Sequence, residues 1–213
     1  MAAAILEQLS EALIKGQAPV VKELTQKAID SGLTAEKILN DGLVAGMSVI
    51  GERFKRNEVY IPEVLIAARA MNAGMALVKP LLKAAGVKSR GVVCCATVKG
   101  DLHDIGKNLV CMMLEGSGYE VVDLGVNCDP EKFVKGVQEH KADAIAISAL
   151  LTTTMTNMKA TIDAFKEAGL RGKVKIMVGG APLTQNFSDE IGADGYAPDA
   201  ASAVDLLKKL LAK

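Results

Sequence analysis

His103 lies in the run Thr97-Val98-Lys99-Gly100-Asp101-Leu102-His103-Asp104-Ile105-Gly106-Lys107-Asn108, with Asp101 two residues before it and Asp104 beside it. A neutral imidazole binds a metal through one nitrogen while the other donates to a carboxylate, which fixes the tautomer. Asp101 is the natural partner for that second bond, and a neighbouring hydroxyl could orient Asp101 in turn. A zinc or iron site made of Asp101, His103 and Asp104 is poor, because it offers one imidazole where hydrolytic sites use two or three. The bland reading is a surface turn with a local hydrogen bond. The second histidine, His140, falls in Gln138-Glu139-His140-Lys141 at a helix end and reads as solvated.

An apolar, β-branched run (Gly91 to Ala96) precedes the stretch, and a helical pattern (Leu109, Met112, Met113) follows it. That places the histidine in a strand-to-helix loop, where glycines at 100 and 106 let the backbone turn tightly. From there short apolar runs alternate with amphipathic stretches. Strands are expected at 91–97, 119–124, 143–148, 174–178 and 194–197, and helices at 105–117, 130–140, 153–168, 183–191 and 199–212. Five strands alternating with five helices predict an α/β domain with a doubly wound parallel sheet, and the flavodoxin-like order 2-1-3-4-5 fits the size. Ligands of such sheets bind beyond the carboxyl ends of the strands, at the switch point between strands 1 and 3. His103 follows strand 1, Ser148-Ala149-Leu150-Leu151-Thr152-Thr153-Thr154 follows strand 3, and Gly179-Gly180 follows strand 4, so all three converge on one crevice. Taken singly, the Gly-Gly pair is a common turn and the Thr run an ordinary helix cap.

Residues 1–86 read as helical. Leu6, Leu9 and Leu13 share a face, and Pro19 suits a helix start before Val20, Val21, Leu24 and Ala28. Thr34 can cap a helix whose stripe runs Leu39, Leu43, Met47, Ile50 and Phe54. Pro62 opens a long helix with a seam of Val64, Ala68, Met71, Met75, Val78 and Leu82. Four helices with short connections predict a bundle domain over 1–86, joined by a hinge at 86–91 to the sheet domain at 91–213. The methionines are core packing.

The chain of 213 residues is half apolar by count, and its 25 Lys and Arg balance 25 Asp and Glu. A nucleic-acid footprint needs a basic face, and the absence of Trp leaves few stacking platforms, so no nucleic-acid partner is expected. Four cysteines (94, 95, 111, 128) form no C-x-x-C pair, and the adjacent Cys94 and Cys95 of the first strand read as small core residues in a reducing cytosol. No cleavage signal is seen at the N-terminus and no apolar run approaches the ~20 residues of a membrane span. The expectation is a cytoplasmic protein with no membrane partner.

Asp101-x-His103-x-x-Gly106, then Ser148-x-Leu150, then Gly179-Gly180, in this order and at these separations, resembles the signature of cobalamin-binding domains. Met47-Ser-Val-Ile-Gly-Glu-Arg-Phe54, Val59-Tyr-Ile-Pro-Glu-Val64 and Ala68-Arg-Ala-Met71 are similar to the helical cap of cobalamin-dependent methionine synthase. The likeness spans nearly the whole chain, and without a catalytic barrel it points to a free-standing corrinoid protein of anaerobic methyltransferase systems. The resemblance implies a bound cobalamin or related corrinoid, carried as methylcobalamin in the base-off/His-on state, with His103 replacing the benzimidazole as lower axial ligand of cobalt. Asp101 and Thr154 would complete a proton relay, Thr154 standing where methionine synthase has Ser. Leu102, Asp104, Ile105, Gly106 and Leu150 would line the site. Ser148 and Thr152 would contact the buried nucleotide tail, with Gly179 and Gly180 as the floor of its slot. Phe54, Ile61 (Leu in methionine synthase) and Val64 would cover the methyl group. It further implies partners: a substrate-specific methyltransferase, an acceptor methyltransferase and a reductive activase, the protein itself being non-catalytic alone. The rival readings are the cobalamin subunit of an adenosylcobalamin-dependent mutase, a sensory regulator, and a flavodoxin-like domain that binds no corrinoid.

Overall fold

The computed structural model describes residues 2–212; Met1 and Lys213, the outermost residues of the two expected domains, lie outside the described residues. The chain divides into two compact units. One runs to Ser89 and takes in Glu115–Gly118; the other comprises Arg90–Leu114 and the chain from Tyr119 onward.

The N-terminal unit is helical: α1 (Ala2–Ile14), α2 (Ala18–Asp30), α3 (Ala35–Lys37), a π-helical segment (Ile38–Val44), α4 (Ala45–Lys55) and α5 (Ile61–Ala84). Leu6, Leu9 and Leu13 are buried together on α1, as their spacing predicts. The Thr34 side chain accepts the Lys37 N–H at 3.3 Å, so the predicted cap forms. The helix behind it departs from the predicted stripe. Its Ala45 N–H reaches back five residues to Asn40 O, and the wider turn rotates the face. Ile38 is fully buried where Leu39 was expected, and Leu39 is only half-buried. On α2, Val20 is 40% exposed and Thr25 takes the core position, its hydroxyl donating to Val21 O at 2.7 Å.

Pro62 sits in the first turn of α5, and Glu63 Oε2 accepts the Tyr60 N–H at 3.1 Å, half of a capping box. Val64, Ala68, Met71, Val78 and Leu82 are buried along the predicted seam, with Gly74 taking the place of Met75. By length and mean composition α5 could cross a membrane, although Glu63, Arg69 and Lys79 break its apolar runs, so no continuous apolar run reaches that length. A bundle-core helix with small and apolar residues on its packed face meets the same criterion.

The second unit alternates β1 (Val92–Val98), α6 (Ile105–Gly116), β2 (Glu120–Cys128), α7 (Pro130–His140), β3 (Ala144–Ser148), α8 (Thr152–Met155), α9 (Asn157–Glu167), β4 (Lys175–Gly179), α10 (Gln185–Ile191), β5 (Gly195–Ala197) and α11 (Ala200–Leu211). All pairings are parallel and the order is β2-β1-β3-β4-β5, as predicted. Central strands buried on both faces explain why β1 reads as an unbroken apolar run. Phe133 and Val137 of α7, Met158, Ile162 and Phe165 of α9, and Ile191 of α10 pack on one face. Two details differ from the prediction. The expected helix 153–168 is interrupted at Thr156, and β2 continues four residues past Leu124 because its register against β1 slips twice, ending with Val98 opposite Cys128.

At the opposite edge of the sheet, Arg171 binds Asp194 through two bonds of 3.0 Å, and Asp194 also accepts the Ile176 N–H at 2.7 Å. All four cysteines are unpaired and buried. Burial pushes the Cys94 thiol up to about 11 and raises Cys128. A hydrogen bond with Cys111, then burial, raises Cys95.

Gly180 leaves β4 at φ +134°, and a Cβ there would stand 1.9 Å from Ala149 O. Gly180→Ala is therefore expected to destabilise the protein by about 3 kcal/mol or more. Denaturant unfolding of the ligand-free protein measures this; an unchanged midpoint would contradict the close approach of these two loops.

Candidate functional site

The site begins where β1 stops. Asp101 N–H donates to Val98 O at 3.1 Å, and Gly100 has φ +80°, so Val98–Asp101 is a type II turn whose third position requires a positive φ. The turn drops the Asp101 carboxylate under the loop that follows β3. Asp101 is completely buried. Its Oδ1 accepts the His103 backbone N–H at 3.1 Å and lies 2.7 Å from His103 Nδ1. Its Oδ2 accepts the Leu150 N–H at 2.8 Å, the Leu151 N–H at 3.3 Å and the Thr154 hydroxyl at 2.7 Å. Thr97 Oγ1 donates to His103 O at 2.9 Å and closes the loop. The strands β1 and β3 are adjacent, with Thr97 opposite Ser148, and that pairing brings these residues together across about fifty positions of sequence.

Burial by itself would raise the Asp101 pKa. The hydrogen bonds from Thr154, the Leu150 amide and both His103 donors outweigh it and hold the carboxyl well below the usual carboxylate range. The anion keeps the proton of a neutral His103 on Nδ1, which leaves Nε2 as the lone-pair nitrogen. The His103 side chain is half exposed, whereas that of Asp101 is inaccessible. Around it stand apolar side chains that the fold leaves in solvent: Leu102 is 71% exposed, Ile105 74%, and Leu150 and Leu151 42% each.

Of the other predicted residues, Ser148 ends β3, half-buried and in register with Thr97 and Gly179. Thr152 opens α8 and is exposed, as is Asp104, whose Oδ2 accepts from Asn108 Nδ2 at 3.1 Å. Gly179 comes within 3.0 Å (as a built Cβ) of Ala197 O. Gly106 differs from both glycines of the pair, since a Cβ on it would meet nothing within 4 Å. The cap candidates fall on α4 and α5 in unlike settings: Phe54 is half-buried, Ile61 is 42% exposed and Val64 is fully buried. His140 is exposed, as read from the sequence.

Three features escaped the sequence reading. Asn127 and Asn157 both bind the backbone of the turn at residues 99–101. Lys107, one residue beyond Gly106, is buried and pairs with Asp123 of β2. The signal for Lys107 was its place in the first turn of an otherwise apolar helix face; the two asparagines gave none, since their partners are remote in sequence.

A B12 binding domain model matches residues 91–205, and a second B12 binding domain model matches residues 5–79. The chain is 43% identical to a corrinoid protein of Desulfitobacterium hafniense strain Y51, over 100% of each chain. It is 44% identical to the dimethylamine corrinoid protein of Methanosarcina barkeri, over 98% of each. Among solved structures, a chain of the methanol:cobalamin methyltransferase complex from Methanosarcina barkeri superposes with a TM-score of 0.86 at 31% identity, covering 98% of this chain and 80% of that one. A cobalamin-binding protein from Desulfitobacterium hafniense DCB-2 gives 0.80, also at 31%, covering 96% and 98%.

The Asp101 geometry sets a pH dependence. A carboxyl whose pKa falls on folding contributes stability that is present above its unfolded value, near 4, and is lost as pH falls through the lower folded value. Asp101→Asn turns an acceptor into a donor facing three donors. It should cost about 2 kcal/mol at neutral pH, and the gap to the parent protein should narrow below about pH 4. Urea unfolding from pH 3 to pH 8 follows it; a gap that stayed constant across that range would remove the buried anion from the account.

Proposed function

The chain belongs to the B12-binding family of corrinoid proteins, and on that premise we propose that it is a methyl carrier: it accepts a methyl group from one partner methyltransferase and delivers it to a second. The observation that carries this reading is the Thr154–Asp101–His103 chain, ending in an exposed imidazole inside an apolar collar. Among the described residues no group of three His, Cys, Asp or Glu side chains could hold a metal ion. A single imidazole suits a metal that a macrocycle already holds on four sides. The collar of Leu102, Ile105, Leu150 and Leu151 offers the apolar contact such a ring needs, and the space beside Gly106 is open to it. The residues present therefore fit the cofactor.

When bound, the corrinoid supplies the cobalt centre at which methyl transfer takes place. His103 Nε2, the nitrogen left with a free lone pair, would hold the cobalt, as the base-off/His-on reading requires. Asp101 fixes the ring and its tautomer, and Thr154 fixes Asp101. An imidazole protonated at Nε2 has no lone pair there and cannot ligate a metal. Proton uptake at that atom would thus favour a free His103, and proton loss would restore its capacity to ligate. Ser148 and Thr152 are assigned to the nucleotide tail, Gly179 and Gly180 to the floor of its slot, and Asp104 to its rim. Phe54, Ile61 and Val64 are assigned to the cover of the methyl group. We set the domain limits at 86 and 91, where no regular element joins Ala84 to Val92, and assign that segment as the hinge by which the helical domain gives way to a partner enzyme. A reductive activase is the third partner. The relatives' names, which include dimethylamine and trimethylamine corrinoid proteins, favour small methylated donors.

Two measurements test this. His103→Ala loaded with methylcobalamin should lose the absorption signature of an imidazole-ligated cobalt; a spectrum unchanged from the parent would sink the ligand assignment. Gly106→Ala separates fold from ligand. Without corrinoid it should be neutral or more stable by up to about 1 kcal/mol, since Ala is the better helix former. Its affinity for cobalamin should drop at least about tenfold through the occupied space. Unaltered affinity would move the corrinoid away from this turn.

A further inference from the structure

The Lys99–Gly100 peptide, the central unit of the turn that carries Asp101, is held at both ends by side-chain amides from distant elements. In a type II turn this peptide stands across the turn, so neither its C=O nor its N–H is used by the turn itself. Asn157 Nδ2, at the start of α9, donates to Lys99 O at 2.8 Å. Asn127 Oδ1, near the end of β2, accepts the Gly100 N–H at 2.7 Å. Asn127 also donates its own backbone N–H to Asp101 O at 3.0 Å, and it sits at φ +50° in the stretch where β2 slips register against β1. Two asparagines thus bracket the turn, one supplying a donor and the other an acceptor.

We infer that Asn127 and Asn157 are positioning residues for the histidine ligand: they lock this peptide against a flip and so fix the angle at which Asp101 presents His103. With the two side chains as they stand, a flipped peptide would turn its carbonyl toward Asn127 Oδ1 and its N–H toward Asn157 Nδ2, acceptor against acceptor and donor against donor, so both side-chain amides would have to turn over with it. That concerted change disfavours the flip, so the backbone that bears His103 would keep its conformation whether or not the imidazole is bound. This rests on the proposed role of His103 as a corrinoid ligand, but the clamp itself is a property of the unloaded protein.

The test uses the same substitution at the two positions, with opposite expectations. Asn127→Asp keeps an acceptor for the Gly100 N–H. Asn157→Asp replaces the donor by a carboxylate facing Lys99 O, while its charge at the start of α9 suits that helix and leaves the fold intact. In the full-length protein without corrinoid, hydrogen exchange at the Gly100 and His103 amides should match the parent in Asn127→Asp and speed up about tenfold or more in Asn157→Asp. In the cobalamin-loaded, cobalt(II) protein, nitrogen splitting from His103 in the electron paramagnetic resonance spectrum should persist in the first variant and weaken or broaden in the second. Equal responses at the two positions, whether both silent or both impaired, overturn the inference, as does the reverse order. Should Asn157→Asp fail to fold, Asn127→Gly against Asn127→Asp carries the same test: glycine keeps the positive φ without the acceptor, so only glycine should speed exchange. A parent protein lacking nitrogen splitting would refute the proposed ligation instead, with the exchange data still deciding on the clamp.

Discussion

A buried carboxylate with five donors aimed at it holds this site together. Asp101 is fully removed from solvent, and an anion in that position is tolerable only if its lone pairs are met by hydrogen bonds. The five donors come from two places, the loop that bears Asp101 and the segment that runs from the end of β3 into α8. The electrostatic requirement of one side chain therefore welds the two into a single body. The same bonds that make burial bearable also leave one carboxylate oxygen committed to the imidazole. The position and tautomer of His103 follow from satisfying Asp101.

The sheet makes this economy possible. Strands 1 and 3 are neighbours because strand 2 lies on the far side of strand 1, and the reversal of direction at that point opens the crevice between their carboxyl ends. Parallel pairing sets both loops at the same height. The apolar side chains left at this edge, Leu102 and Ile105 above all, are costly in water, and such a group beside a buried polar chain is a surface suited to a ligand. The family relationship supplies a ligand with the right surface.

Much of this was legible in the order of residue types. Alternating apolar runs and amphipathic stretches located every strand and its helix, and the strand order followed from size and alternation. The meeting of Asp101, His103 and Thr154 could be reasoned from the motif and from the topology together. Local signals such as the Thr34 cap and the Pro62 start were equally plain. The failures are those of assumed periodicity. A helical stripe drawn through Leu39 takes 3.6 residues per turn, and the π-helical segment does not keep it. The register slips of β2 depend on pairing with β1, and the roles of Asn127 and Asn157 depend on that slip and on the packing of α9. Contacts made across 27 and 58 residues leave no imprint on either neighbourhood.

The four buried thiols have a practical consequence. A side chain whose pKa stands near 11, like that of Cys94, is ionised to about one part in ten thousand at neutral pH, and alkylating reagents attack only the ionised form. While folded, burial shields all four thiols, and those of Cys94, Cys95 and Cys128 are also held toward the protonated form, so the native cysteines react slowly with maleimides and iodoacetamides. A new cysteine placed on an exposed helix position can therefore accept a fluorophore or a spin label without first stripping out the native ones, and inter-unit distances become measurable by energy transfer in an otherwise unaltered chain.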